Sequence, residues 1–247
     1  MANQIALGSK AKNKQVNIVK DENGYYKVRL GAFNTYNHSG IFYHCDNKVL
    51  EFLKSDKSVL GRRLRNGMLR SEYQHPDYKG MSLEEQLKRA LTIDMDRVCG
   101  HIKEVIFNIT DMTEKGWENL PIIIIDGWVK PTGPYGKNLQ EALDNPDENV
   151  AFSYRGPVKQ KRVGSTIVRY VADVSTWDYV FEPGVKIATQ WNAAGLEHRT
   201  EDDVVCLNGV CSAKFKKCIA GMEELKDYNV KEVLKITSEE ETIFDRW

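Results

Sequence analysis

The sequence predicts an α+β protein in which a central sheet, mostly antiparallel or mixed, is flanked by helices. Apolar residues recur at helical spacing in several separate stretches, while other short segments are rich in β-branched and aromatic residues with alternating or continuous apolar patterning. Turn signals built from Gly, Pro and Asn separate the two kinds of segment. With 247 residues and 41% hydrophobic content, the chain has the material for one elaborated domain. The expected division is an N-terminal arm over 1–20, a single domain over 21–236 and a mobile acidic tail over 237–247, which holds Glu239-Glu240-Glu241.

Residues 25–30 follow the turn signal Glu22-Asn23-Gly24 and read as a strand, half of a hairpin with 15–19. Val49, Phe52, Leu53, Leu60 and Leu64 predict one helix over 48–64, frayed at Gly61. The next helix opens on a capping box, Ser82-x-x-Glu85. Leu83, Leu87, Ala90, Leu91, Met95 and Val98 line one face of it, and Gly100 ends it. Val105, Phe107 and Ile109 alternate with polar residues as a half-buried strand does, whereas 122–125 is a continuous apolar run suited to a buried strand. These two are expected to pair across the loop between them.

The rigid turn Pro131-Thr132-Gly133-Pro134-Tyr135-Gly136 precedes a short helix carrying Leu139, Ala142 and Leu143, which Asn145-Pro146 stops. A serine-bearing strand over 149–156 follows, then β-rich sequence over 166–174 and 177–181, closed by Pro183-Gly184. Farther on, Phe215, Cys218, Ile219, Met222 and Leu225 share one face of a helix expected over 211–228. There is no internal repeat.

The 35 basic and 35 acidic residues cancel, so no global field draws the chain to nucleic acid or an anionic membrane. The apolar piece Ile5-Ala6-Leu7 is too short for a signal peptide or a membrane span. Cys45, Cys99, Cys206, Cys211 and Cys218 are an odd, scattered set that fits reduced thiols in a reducing cytoplasm. With His38 and His44 they lack the paired spacing of a zinc knot, and the glycines near 133–136 lack the lysine-serine pair of a phosphate loop. No metal and no cofactor is therefore expected.

Two segments carry groups suited to acyl transfer. Ser153 lies on the apolar run Asn149-Val150-Ala151-Phe152-Ser153-Tyr154, immediately ahead of Arg155-Gly156, and His75 lies in Glu72-Tyr73-Gln74-His75-Pro76. A serine hydroxyl is a poor nucleophile unless a base takes its proton, and an imidazole is the side chain best suited to do so near neutral pH. The same residues also read as purely structural: His75-Pro76 as a strand or loop end, and Ser153 as a small polar residue in a sheet.

In order and surroundings, these segments resemble the prohead (procapsid) maturation proteases of large tailed bacteriophages, relatives of herpesvirus assemblin. The resemblance covers residues 49–183. It rests on Glu72-x-x-His75-Pro76, then Asp126-Gly127-Trp128-Val129 leading to Gly136-Lys137-x-Leu139, then Val150-x-x-Ser153-x-Arg155-Gly156, and finally Val171-Ala172-Asp173-Val174 running to Pro183. It implies an assemblin-like fold with a barrel-like central sheet forming a protease domain over 21–236. It also implies a serine endopeptidase with His75 as base and Ser153 as nucleophile. The bulky Phe152 and Tyr154 depart from the small residues common beside that serine, but on a strand both point away from its face.

The third catalytic member is expected at Asp173, with His101 and Asp56 as rivals. Arg155 and Gly156 are expected on the oxyanion or substrate side, a backbone N–H of either one stabilising the tetrahedral oxyanion. The implied substrates are capsid and scaffold proteins and the chain itself, cut inside an assembling prohead in the host cytoplasm. The enzyme is expected to be a homo-oligomer that needs neither nucleic acid nor membrane. The alternative is a catalytically inactive core or scaffold component that keeps the same fold. An α/β-hydrolase esterase lacks support, because the chain has no G-x-S-x-G elbow.

Overall fold

The computed structural model describes residues 18–189. Most of the N-terminal arm, the helix expected over 211–228, the acidic tail and Cys206, Cys211 and Cys218 lie outside the described residues. In chain order the strands are β1 (Tyr26–Phe33), β2 (Thr35–Tyr36), β3 (Phe42–His44), β4 (Arg70–Glu72), β5 (Val98–Thr113), β6 (Pro121–Pro131), β7 (Ala151–Arg155), β8 (Val158–Val163), β9 (Thr166–Val171) and β10 (Thr176–Val180). The helices are α1 (Asn47–Lys54), α2 (Val59–Arg65), α3 (Leu83–Leu91) and α4 (Gly136–Asp144), with a 3₁₀ turn at Met95–Arg97.

The α+β class and the mostly antiparallel pairing agree with expectation. One sheet has the order β1-β6-β5-β4 and is antiparallel throughout; β7 and β10 form an antiparallel pair; and β2-β3-β9-β8 is mixed, its β3–β9 ladder being parallel. The barrel-like sheet is not found, for among the described residues there are three separate sheets and none closes on itself. The start of the first hairpin is present, with Lys27 N–H donating to the Val19 carbonyl at 2.8 Å.

The β5–β6 hairpin forms as its patterning predicts, with Val105 opposite Gly127 and Phe107 opposite Ile125, but β5 reaches back to Val98. Its extra length comes from the helix before it. α3 keeps its capping box, then ends at Leu91 with Thr92 as C-cap. The chain leaves the helical path there because Asp94 N–H donates to the buried Glu72 carboxylate at 2.8 Å, while the Asp94 side chain caps the 3₁₀ turn.

Residues 48–64 form two helices rather than one. Ser58 ends the continuity: its hydroxyl donates to the Leu53 carbonyl at 2.9 Å and accepts from Gly61 N–H at 2.8 Å, so it caps α2 and ties it to α1. Gly61 is a contact point and not a frayed end, since a Cβ there would lie 2.0 Å from the Ser55 carbonyl oxygen. Strand β8 escapes a hydrophobicity reading for another reason. It is an edge strand carrying Lys159, Lys161 and Arg162, and charge on an edge discourages pairing with other chains.

The core lies between the β1-β6-β5-β4 sheet, the β7–β10 pair and the inward faces of α1, α2 and α4. Leu30, Phe33, Leu50, Leu53, Leu60, Ile102, Leu139, Phe152 and Trp177 are all buried in it. Burial of each such side chain contributes about 1.5–3 kcal/mol relative to exposure, and Phe152 and Trp177 anchor the β7–β10 pair in the core in this way. No helix among the described residues is long and apolar enough to cross a membrane.

Candidate active site

Ser153 occupies the middle of β7, where period-two alternation turns Phe152 and Tyr154 to the opposite face from Ser153 and Arg155. Phe152 is buried in the core and Ser153 is half-exposed. Across the ladder, Ser153 is paired with Asp178 of β10. Directly opposed residues put their side chains on one face, with Cβ atoms about 4.5–5.5 Å apart. The backbone at Gly184 closes over the hydroxyl, a Cβ there lying 3.8 Å from Ser153 Oγ.

His75 reaches the same place from β4. Gln74 adopts φ +64°, a left-handed conformation unusual for a residue with a Cβ, and its N–H donates to the Tyr179 carbonyl at 2.7 Å. That turn swings the chain out of β4, and Pro76 is buried just beyond it. His75 Nδ1 lies 2.9 Å from Asp178 Oδ2, with the imidazole 41% exposed and the carboxylate fully buried. A ring whose Nδ1–H is held by a carboxylate presents Nε2 as the nitrogen able to accept a proton.

Behind this pair is a buried charge network. Asp178 also accepts from Glu72 N–H at 3.2 Å and from Arg155 Nη2 at 3.1 Å, and Arg155 Nε lies 2.8 Å from its Oδ2 as an ionic contact off the hydrogen-bonding direction. Arg155 Nη2 reaches Glu72 Oε1 at 2.7 Å, and Arg89 makes a two-pronged contact with the same carboxylate at 3.0 and 2.5 Å. Burial works against the Glu72 carboxylate, but hydrogen bonds from Arg89 and the charge of Arg155 outweigh it and hold the carboxyl below its ordinary range.

Of the residues expected from sequence, His75 therefore contacts the carboxylate of the residue that Ser153 faces across the β7–β10 ladder. That carboxylate belongs to Asp178. Asp173 lies in the β9–β10 turn and accepts from Val59 N–H at 2.8 Å and Val174 N–H at 2.7 Å, so it caps the start of α2. His101 is held by the Gly67 carbonyl and the Tyr25 hydroxyl, at 2.9 and 3.0 Å, and Asp56 is paired with Arg65. Arg155 points its side chain inward and is 4% exposed. Gly156 is needed for close approach, because a Cβ would meet the Asp173 carbonyl oxygen at 2.4 Å and the Tyr154 hydroxyl at 2.6 Å.

The sequence presents Glu72 only as part of the segment that carries His75, and patterning does not single out Asp178. Asp178 sits in Thr176-Trp177-Asp178-Tyr179-Val180, a strand buried at every position. A lone acid inside such a run must be paired to be tolerated, and that was the available signal.

An imidazole held on a buried carboxylate, with a hydroxyl-bearing residue facing that acid across a strand pair, is a set of groups a hydrolase can use, and the wider comparisons give the class as a peptidase. The model of the Peptidase S80 family matches residues 5–242, and the chain belongs to that family. It is 38% identical over 204 residues, 79% of this chain and 73% of the other, to the "Capsid maturation protease" of Pseudomonas phage phiKZ. The resemblance to phage prohead maturation proteases read from the sequence is thereby borne out. No solved structure matches the chain.

Proposed function

We propose that the chain is a serine endopeptidase that cleaves capsid and scaffold proteins, and itself, during maturation of a phage prohead. Ser153 is the nucleophile and His75 the general base. The third role goes to Asp178 in place of Asp173, whose carboxylate is engaged at the start of α2. The observation that carries this reading is the 2.9 Å contact from His75 Nδ1 to Asp178, the residue that faces Ser153 across the β7–β10 ladder. Family membership and the phiKZ relative support the protease class and the choice of capsid proteins as substrates.

In this mechanism His75 Nε2 takes the proton of Ser153 as Oγ attacks the scissile carbonyl, and the imidazolium that forms is stabilised by Asp178. The oxyanion is met by a main-chain N–H near Arg155 or Gly156, the Arg155 side chain being committed to the interior. His75 then gives its proton to the leaving amine, and water hydrolyses the acyl-enzyme by the same path. Acting on an assembled substrate in a confined shell, the enzyme needs little intrinsic affinity, because the effective concentration is high.

The test is co-expression of wild type, Ser153→Ala and His75→Ala with candidate capsid proteins, following the masses of all chains. Wild type is expected to shorten its substrates and both variants to leave them whole. Processing by Ser153→Ala would rule out the serine mechanism, and no processing by wild type would favour a scaffold component that keeps the fold.

A further inference from the structure

The buried charges behind His75 are more than a structural tie. The three strands that hold Ser153, Asp178 and the approach to His75 meet at one guanidinium. Arg155 follows Ser153 by two residues on the same face of β7, reaches Asp178 of β10 and Glu72 of β4, and donates from Nη1 to the Thr92 carbonyl at 2.9 Å at the end of α3. A buried cation against a single carboxylate would spend that carboxylate's field. Here the cation is shared between two.

We propose that Arg155 and Glu72 are positioning residues for peptide cleavage: Arg155 fixes Asp178 beneath His75, and Glu72 offsets the guanidinium so that Asp178 keeps its negative field for the imidazolium. This rests on the reading of His75 and Ser153 as the catalytic pair. Each partner acts through Asp178 and neither touches the substrate. Arg89 of α3 is the second cation in direct contact, so Arg155 and Arg89 hold the two carboxylates, Glu72 and Asp178, closely while other guanidinium groups stand farther off.

The other groups facing this cluster come from every side. Tyr78 from the loop after His75 senses Arg155 and Asp178; Cys99 of β5 senses Asp178; and Arg63 of α2, bonded to the Ser175 and Leu91 carbonyls at 2.6 Å each, senses Arg155 and Glu72. Arg97 lies 3.9 Å from Glu72. This phenol and this thiol are neutral near pH 7, which leaves the carboxylate and guanidinium charges to set the field at His75.

The experiment measures kcat and KM against pH on a peptide from a confirmed cleavage site, for wild type, Glu72→Gln, Arg155→Met and the double variant. Labelling of Ser153 with a fluorophosphonate counts competent sites. Loss of the partner that orients a metal-bound ligand costs about 10–100-fold in activity, and by analogy both single variants are expected to lose kcat by that much with KM within about twofold.

The pH profile separates positioning from mere stability. Glu72→Gln leaves Arg155 to draw wholly on Asp178, moving the acidic limb of kcat/KM to lower pH, and Arg155→Met removes the cation and moves it to higher pH. Each displacement is expected at roughly half a pH unit to one, smaller than a directly adjacent charge gives, because both groups act through Asp178. The double variant restores the charge balance and brings the limb back while kcat stays low. Limbs that coincide with wild type, or that move the same way in both single variants, would overturn the inference. If a variant labels too weakly to assay, the same comparison is made from the NMR titration of His75 in a Ser153→Ala background. Cleavage by Ser153→Ala itself would instead defeat the proposed function beneath it.

Discussion

Asp178 faces Ser153 directly across the β7–β10 ladder while its buried carboxylate holds His75 Nδ1 at 2.9 Å. One strand pair thus carries both the Ser153 hydroxyl and the Asp178 carboxylate, and a third segment delivers the imidazole to that carboxylate. The β4 loop does this through the left-handed turn at Gln74. Asp178 is supported on its inner side by Arg155 and the Glu72 N–H, so it has little freedom to leave that position.

Asp178→Asn and Asp173→Asn are therefore expected to behave differently. An amide in place of Asp178 cannot stabilise the imidazolium, and kcat should fall on the order of 10⁴-fold, as it does when the carboxylate of a serine triad is amidated. Asp173→Asn keeps an acceptor at the start of α2 and should stay within a few-fold of wild type. Turnover of a peptide substrate, alongside thermal melts that verify folding, distinguishes the two; the reverse ranking would return the third role to Asp173.

Much of this arrangement was legible in the sequence, and the exceptions have physical causes. The capping box at Ser82 and Glu85, the alternation at Val105 and Phe107, and the apolar face of Leu139, Ala142 and Leu143 are local patterns; each starts the expected type of element, although α3 stops at Leu91 and leaves Met95 and Val98 to a 3₁₀ turn and β5. The α1–α2 break depends on a Ser58 hydroxyl bridging two turns, which apolar spacing at 48–64 does not register. Asp178 was hidden because its partners Arg155, Glu72 and His75 are distant in sequence, and only the sheet pairing brings them to it. Asp173 has the chain position that the resemblance implies for a third catalytic member, yet its side chain answers the open N–H groups of a helix.

The glycine after Arg155 is expected to serve packing as well as chemistry. Gly156→Ala would force a methyl group onto the Asp173 carbonyl and the Tyr154 hydroxyl, which itself donates to that carbonyl at 2.8 Å. Overpacking of this kind costs typically 1–3 kcal/mol. The expected outcome is a lower urea midpoint at unchanged m-value, together with reduced kcat because β7 carries Ser153. A variant as stable as wild type would show that the β9–β10 turn can yield there.

Thiol chemistry should leave the site untouched. Burial pushes the Cys45 and Cys99 thiols up to about 12, so neither presents thiolate near neutral pH. Iodoacetamide applied to the native protein at pH 8 should leave both unmodified, as read by mass spectrometry of the peptides that contain them, whereas a fluorophosphonate should label Ser153. Rapid native alkylation of Cys99 would mean that the sheet opens far more readily than its burial implies.

The pH dependence of stability offers a separate check on Asp173. Burial pushes its carboxyl up from the ordinary range, against the opposing pull of the N–H groups of Val59, Val174 and Leu60. An acid whose folded pKa is raised penalises the native state once it ionises. Its contribution to stability is whole below the unfolded value near 3.9 and is lost as pH rises through the folded one. Asp173→Asn stays neutral throughout, and the other titrating groups cancel in the difference between the two proteins. The stability of wild type relative to Asp173→Asn, from urea unfolding, should therefore decline as pH rises above about pH 4. A difference that is flat, or that grows in favour of wild type as pH rises, would mean that the helix N–H groups outweigh burial at this carboxylate.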